Sequence, residues 1–419
     1  MKLSKKNPLP SWMPQLNPQV WILAFGRFLS EVGTGFTLFY APIFFVNHVG
    51  LSATAVGFAL GSASISGVIG RILGGSFSDS QFWGRRKTLL LSAAISVIAS
   101  VVLASANNLT ILVIGNLLVG LGQGFYWPAN ESVVADLTAP EQRHEAYAIT
   151  RLADNLGLGM GVVLGGALIS TTGAYRSLFI IDAISFVVFF GVVYFAIKET
   201  YKPVKTNLNS VKSSWLSALR NRRLLIYVLV NIIFTTYVSQ LQSTLPLYLK
   251  NFVALGASGA KFTEGTISVI FGWHLALAIL FQLPVARGLR RFTHPQSLSF
   301  SALMWALGFS LMWVTGVATN HQLGWAISAL GVFAIAIVSY TPSASALITE
   351  LAPKSQLGVY FSISSLCWAA GYFIGPPLGG WALDQTPVFA DNFWLALAAS
   401  VTVLVGILAY LDQMLKDRI

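Results

Sequence analysis

The chain has 419 residues, of which 55% are hydrophobic and 10% are charged, and its mean hydropathy is +0.69. This number of charged residues is too small to cover the surface of a water-soluble protein of this length. The composition therefore excludes a soluble multidomain protein and indicates a membrane protein. The formal net charge of +11 would suit a nucleic-acid-binding surface only if the basic residues lay together on a soluble face. They are instead distributed between apolar segments, so no nucleic-acid partner is expected.

Twelve apolar segments, each long enough to cross a bilayer, follow one another along the chain. Because lipid offers no hydrogen-bond partners to the backbone and these segments are continuously apolar, we expect helices and not the strands of a barrel. The predicted spans are residues 19–46, 53–77, 87–106, 109–135, 144–170, 176–197, 224–250, 264–288, 295–317, 322–349, 355–382 and 392–412. The sequence therefore predicts an all-α membrane protein with twelve transmembrane helices.

Lys and Arg lie mainly in the segments on one side of these spans, which by the positive-inside rule is the cytoplasmic side. The exceptions are Arg176, Lys250 and Lys261 on the opposite side and Arg27, Arg71 and Arg151 within spans. Both chain ends are therefore expected to be cytoplasmic, in a multi-pass protein of the plasma membrane, that is, the inner membrane of a bacterium. Residues 1–19 lack the apolar core and cleavage site of a signal peptide. The single cysteine, Cys367, excludes an intrachain disulfide and a cysteine-based metal site.

The chain divides into two related halves. Tyr126, Pro128, Asp136, Gly157, Gly161, Gly165 and Gly166 recur 214 residues later as Tyr340, Pro342, Glu350, Gly371, Gly375, Gly379 and Gly380. The predicted parts are a cytoplasmic N-terminal segment (1–18), an N-terminal six-helix bundle (19–197), a cytoplasmic linker rich in Lys and Arg (198–223), a C-terminal six-helix bundle (224–412) and a cytoplasmic tail (413–419). Duplicated halves are typical of secondary transporters that bind substrate between two bundles.

The loop between spans 2 and 3 carries a short polar motif. Its residues are Gly75, Asp79, Gly84, Arg85 and Arg86, followed by Lys87. This motif resembles the loop signature of the major facilitator superfamily, and the resemblance extends over nearly the whole chain. It implies two pseudo-symmetric six-helix bundles that alternate access to a central site. It also implies a cytoplasmic latch in which this loop meets an acidic residue at the end of span 4, here Asp136.

Two glycine-rich stretches resemble the span 5 signature of the family's drug–proton antiporters. They comprise Gly157, Gly161, Gly165 and Gly166 in span 5, and Gly371, Gly375, Pro376, Gly379 and Gly380 in span 11. Spacing of this kind favours close helix packing. The stretches are therefore expected to be packing sites, whether or not the chain is an antiporter.

Few charged residues lie within spans, and such residues usually face a partner or a wet cavity. Arg27 and Glu31 share a face of span 1 at the (i, i+4) spacing. Glu31 is interpreted as a proton-coupling carboxylate modulated by Arg27, with a permanent structural ion pair as the alternative. Glu131 is expected to meet Arg151 and Asp154 across the turn between spans 4 and 5, in a charge network that serves either proton coupling or structure. Asp182, near the outer end of span 6, is interpreted as structural or interfacial.

His274, in the middle of span 8, could be a protonation switch or a hydrogen-bonded packing residue. Other aromatic and uncharged polar residues within spans are candidates to line a substrate cavity. The cavity candidates are Phe36, Tyr40, Tyr126, Trp127, Asn130, Tyr237, Gln240, Gln242, Trp273, Tyr340, Trp368 and Tyr372.

Together these features predict a secondary active transporter that moves a small organic solute by alternating access, with proton-coupled efflux of lipophilic or amphiphilic compounds as the first hypothesis. An importer or uniporter of solutes or organic anions with the same fold is the alternative, and a non-transporting membrane sensor or scaffold is the alternative from another class. Neither a His-Glu-x-x-His nor a Gly-x-Ser-x-Gly motif is present, so no enzymatic activity is expected. We expect a monomer in the bilayer that uses a proton gradient and needs no cofactor or metal.

Overall fold

The computed structural model describes residues 16–139, 142–201, 216–255, 259–353 and 356–416. The predicted N-terminal segment, linker and tail lie wholly or partly outside the described residues. Within the described part of the chain, twelve helices are long and apolar enough to cross a membrane. The prediction of an all-α, twelve-span protein is confirmed.

The helices follow the apolar segments closely. They are α1 (Pro18–Asn47), α2 (Ala53–Ser78), α3 (Gly84–Ser105), α4 (Leu109–Leu137), α5 (Arg143–Thr172), α6 (Tyr175–Ala196), α7 (Arg222–Gln242), α8 (Thr244–Asn251), α9 (Glu264–Leu289), α10 (His294–Val317), α11 (Gln322–Leu351), α12 (Leu357–Leu383) and α13 (Pro387–Lys416). The short α8 continues the course of α7, and the pair takes the place of the seventh predicted span. A two-stranded antiparallel ribbon, β1 (Ala254–Leu255) and β2 (Ala260–Lys261), lies between α8 and α9.

Polar residues between the apolar segments fix where the helices begin. Asn17 caps α1 by accepting from the N–H of Gln19, and Ser52 and Asn108 cap α2 and α4 in the same way. Each such cap satisfies a backbone donor that the first helical turn leaves unpaired. The helix starts are therefore set by local sequence as well as by hydrophobic length.

The two halves of the chain pack in the same pattern. In the first half α1 packs against α5 and α6, and α4 packs against α2 and α3. In the second half α7 packs against α12 and α13, and α11 packs against α9 and α10. The fold consists of two pseudo-symmetric six-helix bundles, as the internal repeat predicts.

The bundles meet mainly through α2 with α12 and α5 with α9. We call the end of the bundles where α1 begins and α13 ends the proximal end, and the opposite end the distal end. Polar contacts join the bundles distally: Asn47 and Asn251 exchange hydrogen bonds of 2.8 Å, and the Tyr175 hydroxyl donates to Glu264 at 2.5 Å. The bundles are thus closed against each other at the distal end.

Close approach at the interface between the bundles requires glycine. Gly380 on α12 lies against the start of α2, where an added Cβ would be only 2.6 Å from the carbonyl carbon of Ala53. Within the first bundle, a Cβ on Gly161 would be 2.8 Å from the Cα of Gly35. The glycine stretches of spans 5 and 11 are therefore close-packing surfaces.

Candidate functional site

Arg27 lies at the centre of a buried charged group in the first bundle. Its guanidinium forms an ion pair with Glu31, one turn later on α1, and its Nε donates to Asp154 of α5 at 3.0 Å. Arg27 and Glu31 are 5% and 7% exposed, respectively. We call Arg27, Glu31 and Asp154 the deep cluster, in which two carboxylates share one guanidinium.

The close packing of α1 on α5 brings the third member into the deep cluster. An added Cβ on Gly157 would be 2.8 Å from the Cβ of Glu31, so a larger side chain there would push α5 away. Asp154 lies almost one turn before Gly157 on the same helix. Gly157 therefore allows α1 and α5 to approach closely, and Asp154 forms its ion pair with Arg27 across that close contact.

Aromatic and polar residues of α4 complete the surroundings of Arg27. Its guanidinium carbon lies 3.9 Å from the ring centre of Tyr126 and 5.8 Å from that of Trp127, distances at which a cation is attracted to a ring face. The Tyr126 hydroxyl and the Asn130 side-chain oxygen are buried, and neither makes a hydrogen bond within the described part of the chain. Both are uncharged groups able to hydrogen-bond a small molecule or water near the deep cluster.

A second charged group lies nearer the proximal end and is open to solvent. Arg151 of α5 and Glu131 of α4 form an ion pair of 3.6 Å, with side chains 57% and 52% exposed. Arg71 of α2 lies near enough to interact electrostatically with both. We call Arg71, Glu131 and Arg151 the exposed cluster.

The expected group of Glu131, Arg151 and Asp154 does not form as one unit. Glu131 pairs with Arg151, but Asp154 pairs with Arg27 on the neighbouring helix. The (i, i+3) spacing allowed Arg151 and Asp154 to meet. The packing of α1 on α5 offers Asp154 a buried guanidinium, which interacts more strongly with a carboxylate than a solvent-exposed one does.

Trp127 lies between the two clusters. The guanidinium of Arg151 is 4.3 Å from its ring centre, and that of Arg27 approaches within 5.8 Å. Trp127 is half-buried, so one part of the ring packs in the bundle and another remains accessible. It is the cavity candidate with contacts to both charged groups.

Several cavity candidates of the second half are buried between helices. Tyr237 donates to or accepts from Ser400 at 2.6 Å inside an aromatic group with Trp305 and Phe309. The Tyr340 hydroxyl donates to Asn231, which joins α11 to α7. These residues hold helices together, and they do not face an opening.

The two glutamines and the remaining aromatic candidates of the second half differ in burial. Gln240 is fully buried and donates to the carbonyl of Gly375 at 2.9 Å, joining α7 to α12. Gln242 accepts from the Tyr372 hydroxyl at 2.7 Å, and both residues are half-buried. Trp368 stacks near Tyr372 with ring centres 6.1 Å apart and is half-buried as well. Gln242, Trp368 and Tyr372 thus keep accessible surface on the second bundle.

Four further candidates lie along α1 and α9. Tyr40 and Phe36 are buried against α5, and the Tyr40 hydroxyl donates to the carbonyl of Val162 at 2.8 Å. Trp273 is 44% exposed on α9. His274 contacts the carbonyl of Leu330 on α11 through Nδ1 at 2.8 Å, an arrangement that matches the packing interpretation of this residue.

Asp182 is buried in the first bundle against Gly33 of α1, two residues from Glu31 of the deep cluster. Its Oδ2 lies 2.7 Å from the Ser100 hydroxyl of α3, and its Oδ1 makes no hydrogen bond within the described part of the chain. It joins α6 to α3, in keeping with the structural interpretation.

The loop between α2 and α3 meets the end of α4 through Arg85. The guanidinium forms an ion pair with Asp136 and donates to the carbonyl of Ser132 at 3.0 Å, and Asp79 lies 3.9 Å away. Sequence reasoning missed Glu199, which follows α6 and accepts from the backbone N–H groups of Arg85 and Arg86 at 3.0 and 3.1 Å. Glu199 thereby caps the first turn of α3, where a negative charge is favourable.

The second bundle repeats this arrangement with other residues. His294 at the start of α10 lies 3.7 Å from Glu350 at the end of α11. Asp412 accepts from the side chains of Thr293 and Gln296 at 2.6 and 3.3 Å, at the start of α10. The second bundle therefore has histidine where the first has an arginine.

Two related helical bundles with charged residues in the apolar spans define a polytopic membrane protein of the secondary-transporter class. The family model of the Major Facilitator Superfamily matches residues 23–260 and 252–417. The chain belongs to the Major Facilitator Superfamily, whose members are transporters.

Relatives and solved structures agree with this assignment. The chain is 26% identical over 385 residues to the multidrug resistance protein MdtH of Aeromonas hydrophila, covering 90% of each chain. It is 23% identical over 407 residues to a Na(+), Li(+), K(+)/H(+) antiporter of Planococcus maritimus, covering 91% of this chain and 92% of the relative. The crystal structure of the nucleoside transporter NupG shares the fold with a TM-score of 0.79 at 14% identity, over 94% of this chain and 99% of that one.

Proposed function

We propose that the protein is a proton-coupled exporter of lipophilic or amphiphilic small organic compounds. It acts as a monomer in a bacterial inner membrane, with both termini and hence the proximal end in the cytoplasm. The driving force is the proton gradient, and no bound cofactor takes part. The observation that carries the proposal is the deep cluster, in which Glu31 and Asp154 share the guanidinium of Arg27.

The charges of the deep cluster support binding of one proton. Two carboxylates and one guanidinium leave one uncompensated negative charge within the deep cluster. An uncompensated buried charge is costly, and one proton on either carboxylate removes it.

The position of the deep cluster suits coupling to a conformational change. Glu31 lies near the middle of the 30-residue α1, and Asp154 lies on α5, which also contacts the second bundle through α9. Protonation of Asp154 weakens its ionic bond with Arg27, which joins α5 to α1, whereas protonation of Glu31 leaves the guanidinium to Asp154 alone and strengthens that bond. A change at that bond can therefore alter how α5 packs on α9 and bias the bundles between closed and open distal ends.

The named relatives support the direction and the substrate class. One is called a multidrug resistance protein and another a cation/H⁺ antiporter. The accessible aromatic groups Trp127, Trp273, Trp368 and Tyr372 suit an apolar or amphiphilic substrate.

Reconstituted vesicles test the proposal. Purified protein in proteoliposomes is given an imposed pH gradient, and the flux of a fluorescent amphiphilic dye is measured as a function of that gradient. Glu31→Gln and Asp154→Asn are expected to transport with little dependence on the gradient, whereas Glu145→Gln, at an exposed position of α5, should behave as the parent. If both cluster variants respond to the gradient as steeply as the control, the deep cluster is not the coupling site. Flux of the parent that does not depend on the pH gradient would exclude proton coupling.

A further inference from the structure

The exposed cluster lies on the side of the first bundle that faces the second bundle. Glu131 of α4 forms an ion pair with Arg151 of α5, and Arg71 of α2 lies near enough to interact electrostatically with both. Because α2 and α5 make the main contacts with the second bundle, a group held between them lies beside the gap between the bundles. The side chains of Glu131 and Arg151 are half-exposed, so solvent reaches the cluster.

The cluster lies well inside the helices. Glu131 is six residues from the proximal end of α4 and Arg151 is eight residues from that of α5. At a rise of about 1.5 Å per residue, these positions are roughly 9 and 12 Å from the helix ends. Charged side chains at this depth usually line a water-filled path.

The charge ratios of the two clusters are opposite. The deep cluster has two carboxylates for one guanidinium, whereas the exposed cluster has two guanidinium groups for one carboxylate. The ion pair of Arg151 with Glu131 is long at 3.6 Å and solvent-exposed, so it competes weakly with another anion for the guanidinium. The deep cluster therefore has one excess negative charge, and the exposed cluster has one excess positive charge.

Trp127 holds Arg151 in position. The guanidinium lies 4.3 Å from the ring centre, and its ion pair with Glu131 is a long one, so a carboxylate that replaces Glu131 can bind it as a fork. The accessible part of the same ring offers an apolar surface next to that fork. A charged recognition group and an apolar platform are therefore adjacent.

The repeat-related positions of the second half carry no charge. The positions 214 residues after Trp127, Glu131 and Arg151 are Thr341, Ser345 and Ser365. The sequence of α12 contains no Asp, Glu, Lys or Arg, and it carries the half-buried, stacked pair Trp368 and Tyr372. The second bundle thus suits an apolar or aromatic body, and the first suits a charged group.

We propose that the exposed cluster binds the anionic group of the substrate, and that the substrate class is an amphiphilic organic acid with an aromatic or other apolar body. The carboxylate binds Arg151 and displaces Glu131, which then pairs with Arg71. The apolar body lies between Trp127 and the aromatic wall of α12. This inference rests on the proposed function in taking the gap between the bundles as the substrate path, and it holds for either direction of transport.

Equilibrium binding to the purified full-length protein in detergent tests the inference without any gradient. The probes are 2-naphthoate, 2-naphthylmethanol and 2-naphthylmethylammonium, which share a ring system and differ in charge. The parent is expected to bind naphthoate most tightly. Arg151→Gln should weaken naphthoate binding by about tenfold or more and leave the alcohol unchanged, because only the anion uses the fork. Arg220→Gln, which removes an exposed charge outside the spans, should bind all three probes as the parent does.

Two more variants keep the test decisive. Arg151→Lys retains the charge without the fork and should recover part of the naphthoate affinity. Arg71→Gln should also weaken naphthoate binding, since Glu131 then has no second cation to join. Tighter binding of the ammonium probe, no binding of any probe by the folded parent, or equal naphthoate affinity in Arg151→Gln and Arg220→Gln would overturn the inference. Failure of proton coupling in the flux assay would leave these affinities as expected, so the two proposals can fail separately.

Discussion

Asp384, which follows α12 in the second bundle, accepts hydrogen bonds from the backbone N–H groups of Ala53 and Thr54 at 2.8 and 2.7 Å, at the start of α2 in the first bundle. A carboxylate at a helix N-terminus is stabilised by the unpaired donors and by the helix dipole. This contact crosses between the bundles at the distal end, so it must break if the distal end opens.

Asp384→Ala is expected to shift the protein toward the distally open state. Loss of the two charge-assisted hydrogen bonds removes about 1–2 kcal/mol from the closed state, enough to change its population several-fold. Spin labels at Asn107 and Gln385, in distal loops of different bundles, would report longer distances in the variant. Asp391→Ala breaks a contact with Tyr248 inside the second bundle and should leave the distances unchanged. Equal distance distributions in the two variants would contradict the role of Asp384.

The contact of Arg85 with Asp136 predicts a kinetic effect on transport. Asp136→Asn removes the ionic partner of a guanidinium that also binds the end of α4, far from Trp127 and the deep cluster. We expect slower flux in proteoliposomes, by about threefold to tenfold, with substrate affinity close to that of the parent. Arg86→Gln, which keeps the Arg85 contacts, is the control. Unchanged flux in Asp136→Asn would remove the latch role.

Gly84 is required at the start of α3. Its φ of +69° lies in the left-handed region, and an added Cβ would be 2.6 Å from the Cδ of Glu199. Gly84→Ala should therefore lower the free energy of unfolding by about 1–2 kcal/mol and lower the apparent melting temperature of the purified protein. Gly75→Ala is the matched control, because nothing lies within 4 Å of its added Cβ inside α2, and there alanine should be neutral or stabilising. A melting temperature of Gly84→Ala equal to that of the control would contradict this reading.

The fold was predictable because the bilayer restricts the options. Apolar length alone identified twelve spans, and the 214-residue repeat identified two bundles. The pair of Arg27 and Glu31 followed from helical spacing. The partner of Asp154 did not follow from helical spacing, because this contact depends on how closely α1 approaches α5. The glycine pattern indicates that distance only in general terms.

Contacts between distant parts of the chain could not be predicted from the sequence either. Asp384 and Glu199 lie just after spans and look like ordinary loop residues until the fold brings helix starts beside them. The burial of Tyr237 and Tyr340 depends on the rotation of α7 and α11 about their axes. Helices that are apolar on all sides carry little information about which face is buried.

Asp182 offers a test of its structural interpretation. The Ser100 hydroxyl has one hydrogen, yet it lies 2.7 Å from Asp182 and 3.0 Å from the carbonyl of Ser96. An amide at position 182 can donate to Ser100, which then donates to Ser96, so Asp182→Asn should be as stable as the parent. Asp182→Leu leaves the Ser100 hydroxyl without a polar partner on α6 and should lower the free energy of unfolding by about 1–3 kcal/mol. Thermal unfolding of both variants measures this, and a large loss in Asp182→Asn would show that the carboxyl has another role.

The shared guanidinium of the deep cluster predicts a non-additive pair of substitutions. Arg27→Gln leaves Glu31 and Asp154 buried without a cation, and removal of one partner from a buried ionic group costs about 3–5 kcal/mol. Adding Asp154→Asn removes one of the stranded charges, so the double variant should regain a large part of that loss. Arg290→Gln, an exposed arginine at the end of α9, controls for the change in net charge and should unfold as the parent does. The free energies of unfolding of the single and double variants give the coupling energy directly. A double variant less stable than Arg27→Gln alone would mean that Asp154 does not depend on Arg27, and the deep cluster would no longer be a charge-coupled unit.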